Sequence, residues 1–163
     1  YWHEQIRLKS RLATRTPVIA FGDLNDDPWD DSLTINARAT WERGDVERAT
    51  SARFYNASWE YLQTDVTAAD GKARVLEGTL YFDRNGNLFD QILINRALLD
   101  GKLDSEFKFV DGSAQIFAPQ EMVSTKSSEG PIRFGLPKGN ADKNVNPDGY
   151  SDHFPVVLEV LEV

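Results

Sequence analysis

The apolar positions of the chain begin with a helical period. Over residues 1–14, Trp2, Ile6, Leu8 and Leu12 share one broad face, with Lys9 and Arg11 towards its end, which predicts a helix. Pro17 stops it. Pro17–Phe21 is a continuous apolar run and predicts a short, fully buried strand. Asp27 suits an N-cap and Pro28 a first helical turn, so a short helix is expected through residue 38. Residues 41–75 are mixed and polar, with Trp41, Phe54, Tyr55, Trp59, Tyr61 and Leu62 as scattered anchors. Thr79–Phe82 and Leu88–Ile94 predict a hairpin that turns at Asn85-Gly86. Ala97–Leu99 reads as one helical turn closed by Asp100-Gly101, and Phe107–Val110 as a further strand. Residues 119–149 form a long Gly-, Pro-, Ser-, Asn- and Lys-rich connection, a length that is usually functional or disordered. Val156, Leu158, Val160 and Val163 then alternate along 155–163, the pattern of a final strand.

Composition narrows the class. At 163 residues the chain suits one domain with a real core. A net charge of −8 repels polyanions at long range and argues against broad coating of nucleic acid. It leaves room for a metal-dependent phosphoesterase, since bound divalent cations reverse the local sign. The absence of cysteine removes disulfides, thiolate zinc sites and cysteine nucleophiles. No apolar stretch approaches the roughly 20 residues that span a bilayer. Tyr1 opens a helix-like stretch without an initiating Met, as expected of a segment that continues a longer chain. Neither the composition nor the motifs point to a compartment.

The candidate chemistry gathers where apolar runs end. Gly22-Asp23-Leu24-Asn25-Asp26 follows the first strand, and Ser151-Asp152-His153-Phe154-Pro155-Val156 leads into the last. Side chains placed at strand ends sit on a rigid scaffold and face a cleft. Asp23, Asn25, Asp90, Asp152 and His153 form the set of interest. Phosphoester cleavage needs an activated water, neutralised phosphoryl charge and a helped leaving oxygen. An Asp–His pair supplies a base. A neutral Asn donates to a phosphate oxygen without adding repulsion. A carboxylate such as Asp152 suits Mg2+ or Mn2+, which prefer oxygen ligands.

Other features read as structural. Asp83-Arg84-Asn85-Gly86-Asn87 alternates acids and amides, but its Gly comes too early for an EF-hand loop, so a hairpin turn is expected. The oxygen-rich stretch Asp142–Gly149 has a misplaced Gly as well and reads as a loop delivering Ser151–His153. Trp41, Trp59, Phe54 and Tyr61 suit core or rim packing better than stacking on a base. Lys126, Arg133, Lys138 and Lys143 fit either substrate phosphates or a solvated basic loop.

Three ordered segments carry a resemblance. Pro17–Asp26, Phe89-Asp90-Gln91-Ile92-Leu93-Ile94-Asn95 and Gly149–Val156 are similar in motif, order and spacing to the endonuclease/exonuclease/phosphatase superfamily, the DNase-I-like fold. The resemblance covers nearly the whole chain but only the C-terminal half of the family's domain. It implies an α/β fold, an α/β/β/α sandwich of which residues 1–163 supply one mixed sheet with flanking helices. It implies metal-dependent hydrolysis of a phosphoester, most readily a phosphodiester, with Mg2+ or Mn2+ as cofactor. By the same resemblance, Asp23 orients the attacking water and Asn25 binds the scissile phosphate. Asp90 holds His153, which serves as base or phosphate ligand, and Asp152 is a metal-site or leaving-group carboxylate. The substrate class stays open among nucleic acid, phospholipid and inositol phosphate. The family's upstream half carries an Asn, a metal-binding Glu and a second His without counterparts in this chain; His3, on the predicted helix, does not take that His's place. A further metal ligand is therefore expected upstream, and the segment alone is expected to hold part of a site and to be inactive. The alternative is a non-catalytic half-domain or pseudo-enzyme acting as a binding module.

Overall fold

The computed structural model describes residues 16–99, 105–135 and 145–162. The helix expected over 1–14, His3, the Asp100-Gly101 turn, Asp142, Lys138 and Lys143 lie outside those residues. In chain order the elements are β1 (Ile19–Asp23), a π-helical turn (Ser32–Asn36), β2 (Ala39–Thr40), α1 (Arg43–Glu47), β3 (Phe54–Asn56), a 3-10 helix (Ala57–Tyr61), β4 (Thr64–Thr67), β5 (Ala73–Leu76), β6 (Leu80–Phe82), β7 (Asn85–Asn87), β8 (Asp90–Asn95), α2 (Arg96–Leu99), β9 (Phe107–Phe109), β10 (Gln115–Ile116), a second 3-10 helix (Gln120–Met122), β11 (Val156–Val157) and β12 (Val160–Glu162). This is a mixed α/β arrangement. No helix among the described residues is long and apolar enough to cross a membrane.

One mixed sheet organises the molecule, in the order β1-β8-β3-β2. β8 pairs antiparallel with β1 and β3, and β2 joins β3 in parallel. The sequence of β8 explains its central place, because five apolar or amide side chains in succession, Gln91–Asn95, suit a strand covered on both faces. Ile92 and Ile94 point into the larger core, with Leu76, Leu88, Leu98, Phe109, Val123 and Phe154. Leu93 points the other way, against Leu33, Ala39 and Phe54. Each such side chain contributes about 1.5–3 kcal/mol by leaving water. Four two-stranded ribbons, β4-β5, β6-β7, β9-β12 and β10-β11, surround the sheet.

Several expectations are corrected. β1 is not fully buried: Ile19 is 38% and Phe21 74% exposed. Among the described residues β1 is an edge strand of the sheet. The expected helix from Pro28 shrinks to the π-helical turn at Ser32–Asn36, with Asp31 rather than Asp27 before it. Asp27 is drawn elsewhere, its Oδ1 accepting from Leu88 N at 2.7 Å. The hairpin turns at Asp83-Arg84, both in the left-handed region (φ 46° and 71°), and not at Asn85-Gly86. Positive φ at both central residues is the two-residue turn whose twist matches paired strands. Gly86 lies within β7 instead, where a Cβ would come within 2.9 Å of the Glu77 backbone. β8 consequently pairs with β1 and β3, not with β6. The final strand is split in two: Val156–Val157 pairs with β10, then Val160–Glu162 with β9. Glu159 makes the switch, its N–H donating to Ser113 Oγ and its carbonyl accepting from Val110. The expected turn of helix at Ala97–Leu99 and the strand at Phe107 are present as α2 and β9.

Candidate active site

β1 ends and β8 begins at the same level, and both residues there are carboxylates. The β1–β8 register pairs Asp23 with Asp90. Directly opposed residues of an antiparallel pair share a face, with Cβ atoms about 5 Å apart. Gly22, just before, has φ 136°. That conformation is strained for any side chain, although a Cβ there would meet open space.

The chain then turns sharply. Leu24 N–H donates to Phe89 O at 2.8 Å, the last bond of the ladder. Asn25 follows in the left-handed region, φ 55°, which Asn tolerates better than most side chains. Its N–H donates to Asp23 Oδ1 at 2.9 Å. Asp23 and Asn25 are thus one exposed unit at the strand end. A buried glutamine and a half-buried aspartate pin the loop behind them. Gln91 Nε2 donates to Asp26 O while its Oε1 accepts from Asn56 Nδ2 at 2.7 Å. Asp27 accepts from Leu88, as described above. Burial pushes the Asp27 carboxyl above the usual carboxylate range; the Leu88 N–H opposes this, and Asp30 and Asp26 reinforce it.

Asp90 holds the imidazole. His153 Nδ1 lies 2.7 Å from Asp90 Oδ2, with the two side chains 22% and 16% exposed. Thr79 joins the two segments. Its Oγ1 accepts from Asp90 N at 3.2 Å, and its carbonyl accepts from Phe154 N at 2.9 Å. Leu80 of β6 bridges to His153, whose own N–H donates to Ser151 Oγ at 3.1 Å. Phe154, fully buried, anchors the segment in the core. Tyr61 OH hydrogen-bonds Asp90 O at 3.1 Å and Ser58 Oγ at 3.0 Å. Burial drives the Tyr61 phenol well above the ordinary tyrosine range, so it stays a donor. With Nδ1 engaged, Nε2 is the ring nitrogen left for proton transfer.

The structure therefore brings together Asp23, Asp90 and His153 at one sheet end, with Asn25 beside Asp23. Asp152 adjoins His153 in sequence and is exposed. Among the described residues, no three His, Asp or Glu side chains gather to hold a metal ion. Of the aromatic residues set apart from the sequence, Phe54 and Tyr61 are core, whereas Trp41 packs against Trp59 at the surface, ring centroids 6.4 Å apart. Of the basic candidates, Lys126 pairs with Glu129, and Arg133 donates to Tyr81 O. Thr79, Ser58, Asn56 and Gln91 were not evident from the sequence as parts of the site. A glutamine inside the apolar stretch of β8 was the one signal available for Gln91.

A model of the endonuclease/exonuclease/phosphatase family matches residues 10–162. No curated protein and no solved structure matches the chain.

Proposed function

Because the chain belongs to the endonuclease/exonuclease/phosphatase family, we propose that it hydrolyses a phosphodiester at the Asp23–Asp90–His153 end of the sheet. Hydrolysis of phosphoester bonds is the family's general activity. The observation that carries it is the 2.7 Å contact between His153 Nδ1 and Asp90 Oδ2, one strand away from Asp23.

Each side chain has a task suited to its surroundings. Asp23, exposed and steadied by the Asn25 N–H, accepts a hydrogen bond from the attacking water and aligns it. The Asn25 side chain donates to a non-bridging phosphoryl oxygen without adding charge. Asp90 fixes the imidazole orientation and favours its cationic form as charge develops. His153 Nε2 then faces the phosphoryl group, to pass a proton or to stabilise negative charge. Positioned acid–base groups of this kind contribute about a hundredfold to ten-thousandfold in rate.

A requirement for Mg2+ or Mn2+ goes with the reading, with Asp152 as the candidate ligand in this chain. One exposed carboxylate does not make a metal site, and among the described residues it belongs to no group of three or more His, Asp or Glu that could hold an ion. The chain is further proposed to be the C-terminal part of one DNase-I-like sandwich domain. The exposed Phe21 on an edge strand supports this, since it offers an apolar surface and free backbone groups to another strand.

The test is hydrolysis of bis-p-nitrophenyl phosphate by the full-length protein, with and without EDTA. Turnover that EDTA abolishes and Mg2+ restores is the expected result. No turnover under any divalent cation would reject the reading.

A further inference from the structure

Three tryptophans meet on the surface beside the candidate active site. Trp59 lies edge-on to Trp29, centroids 6.1 Å apart and planes at 68°. It also packs against Trp41, at 6.4 Å and 46°. Trp29 and Trp41 are 54% and 59% exposed. Burying large rings in the core is favourable, so two exposed tryptophans packed on a half-buried third, with non-parallel faces, are unusual for a surface that meets only water.

The trio is tied to the catalytic end of the sheet. Trp29 follows Asn25 by four residues, which bounds their Cα separation at about 14 Å. Their shared loop is held by Gln91 and Leu88. Trp59 belongs to the same 3-10 helix as Tyr61, whose hydroxyl touches the Asp90 carbonyl.

Charge selects the occupant. Within two positions along the chain of the three tryptophans lie Asp27, Asp30, Asp31, Glu42 and Glu60, against one cation, Arg43. Asp27, Asp30 and Glu60 accept hydrogen bonds from Leu88 N, Asp27 N, and Tyr55 OH with Ala114 N, respectively. Arg43 is already committed to Glu47, Asp111 and Leu99 O. Asp31 and Glu42 are exposed. A nucleobase would stack on such rings, but its phosphates would meet carboxylates. A soft organic cation gains from both the ring faces and the acidic rim.

We infer that Trp29, Trp41 and Trp59 form a subsite for an alkylated ammonium group carried by the substrate on the alcohol side of its phosphodiester. This rests on the hydrolase reading for the substrate's identity but not for the cation site itself.

The experiment compares choline with neohexyl alcohol, its uncharged carbon analogue, by tryptophan fluorescence and calorimetry on the full-length protein. Choline should bind saturably, about tenfold more tightly than the alcohol, as contact with aromatic faces implies. Trp41→Leu and, separately, the pair Asp31→Asn with Glu42→Gln should each remove most of that difference. The second variant leaves the rings in place, so it reports on charge even if the first loosens the loop. In turnover, the p-nitrophenyl phosphodiester of choline should exceed that of neohexyl alcohol by a similar factor in kcat/KM. Equal binding of choline and the alcohol, or tighter binding of adenosine than of choline, would overturn the cation site. Choline binding with equal turnover of the two esters would overturn its role as a substrate subsite. Choline binding with neither ester cleaved would reject the hydrolase reading and keep the cation site.

Discussion

Gln91 is the hinge of the structural account, and Gln91→Leu tests it. The side chain is fully buried on the face of β8 away from His153. It makes two hydrogen bonds, one to the Asp26 carbonyl and one from the Asn56 amide. Leucine fills similar space but leaves both partners without it. Asn56 is itself fully buried and already uses its oxygen to accept from Ser58 N at 3.0 Å. Each orphaned buried group costs about 1–3 kcal/mol, so the variant should lose about 2–5 kcal/mol of stability. For a chain of this size that is a fall in Tm of roughly 5–15 °C. Thermal unfolding by circular dichroism, with urea titration to check that m is unchanged, reads it directly. The double variant Gln91→Leu with Asn56→Leu should cost less than the sum of the singles, because replacing both partners removes the orphan. A drop in Tm of less than about 2 °C in Gln91→Leu, or strict additivity in the pair, would refute the claim that this network holds the Asn25 loop.

Asp90→Asn should leave stability almost unchanged and cut kcat by about a hundredfold or more, since the imidazole loses its anionic partner; the check is steady-state kinetics beside a melting curve. Leu93→Ala, at the closed face of β8, should cost about 2–5 kcal/mol in urea titration. Gly22→Ala, at φ 136° with open space around it, should destabilise by about 1–2 kcal/mol through backbone strain alone, and larger side chains there should cost little more. Asp27, its pKa raised in the native state, binds its proton more tightly folded than unfolded. Its contribution therefore makes stability fall as pH rises from its ordinary value of 3.8 through the raised one. Asp27→Asn should remove that component from a stability–pH profile measured with urea.

The sequence exposes those parts of the fold whose causes are local. The apolar stretch of β8, the Asp23–Asn25 turn and the segment ahead of Val156 are each visible as residue strings, and their conjunction points to one site. Direct pairing of Asp23 with Asp90 needs a register between strands far apart in sequence, which no local pattern encodes. Asn85-Gly86 is a strong turn dipeptide, yet Gly86 serves close backbone contact with Glu77, so the turn falls two residues earlier. The alternation over Val156–Val160 suits one strand, and only the Ser113 hydroxyl and the Val110 N–H reveal the break at Glu159. Phe21 reads as core because it is apolar; its exposure depends on what packs over that face of β1, which no local pattern encodes.

Joint action of Asp23 and His153 at one end of the β1–β8 pair is the central proposal. The most direct measurement is kcat/KM for bis-p-nitrophenyl phosphate with Mg2+ in full-length wild type, Asp23→Asn and His153→Ala, each confirmed folded by its melting curve. Each variant should fall by about a hundredfold to ten-thousandfold with Tm nearly unchanged. Wild-type turnover in either variant would contradict the account.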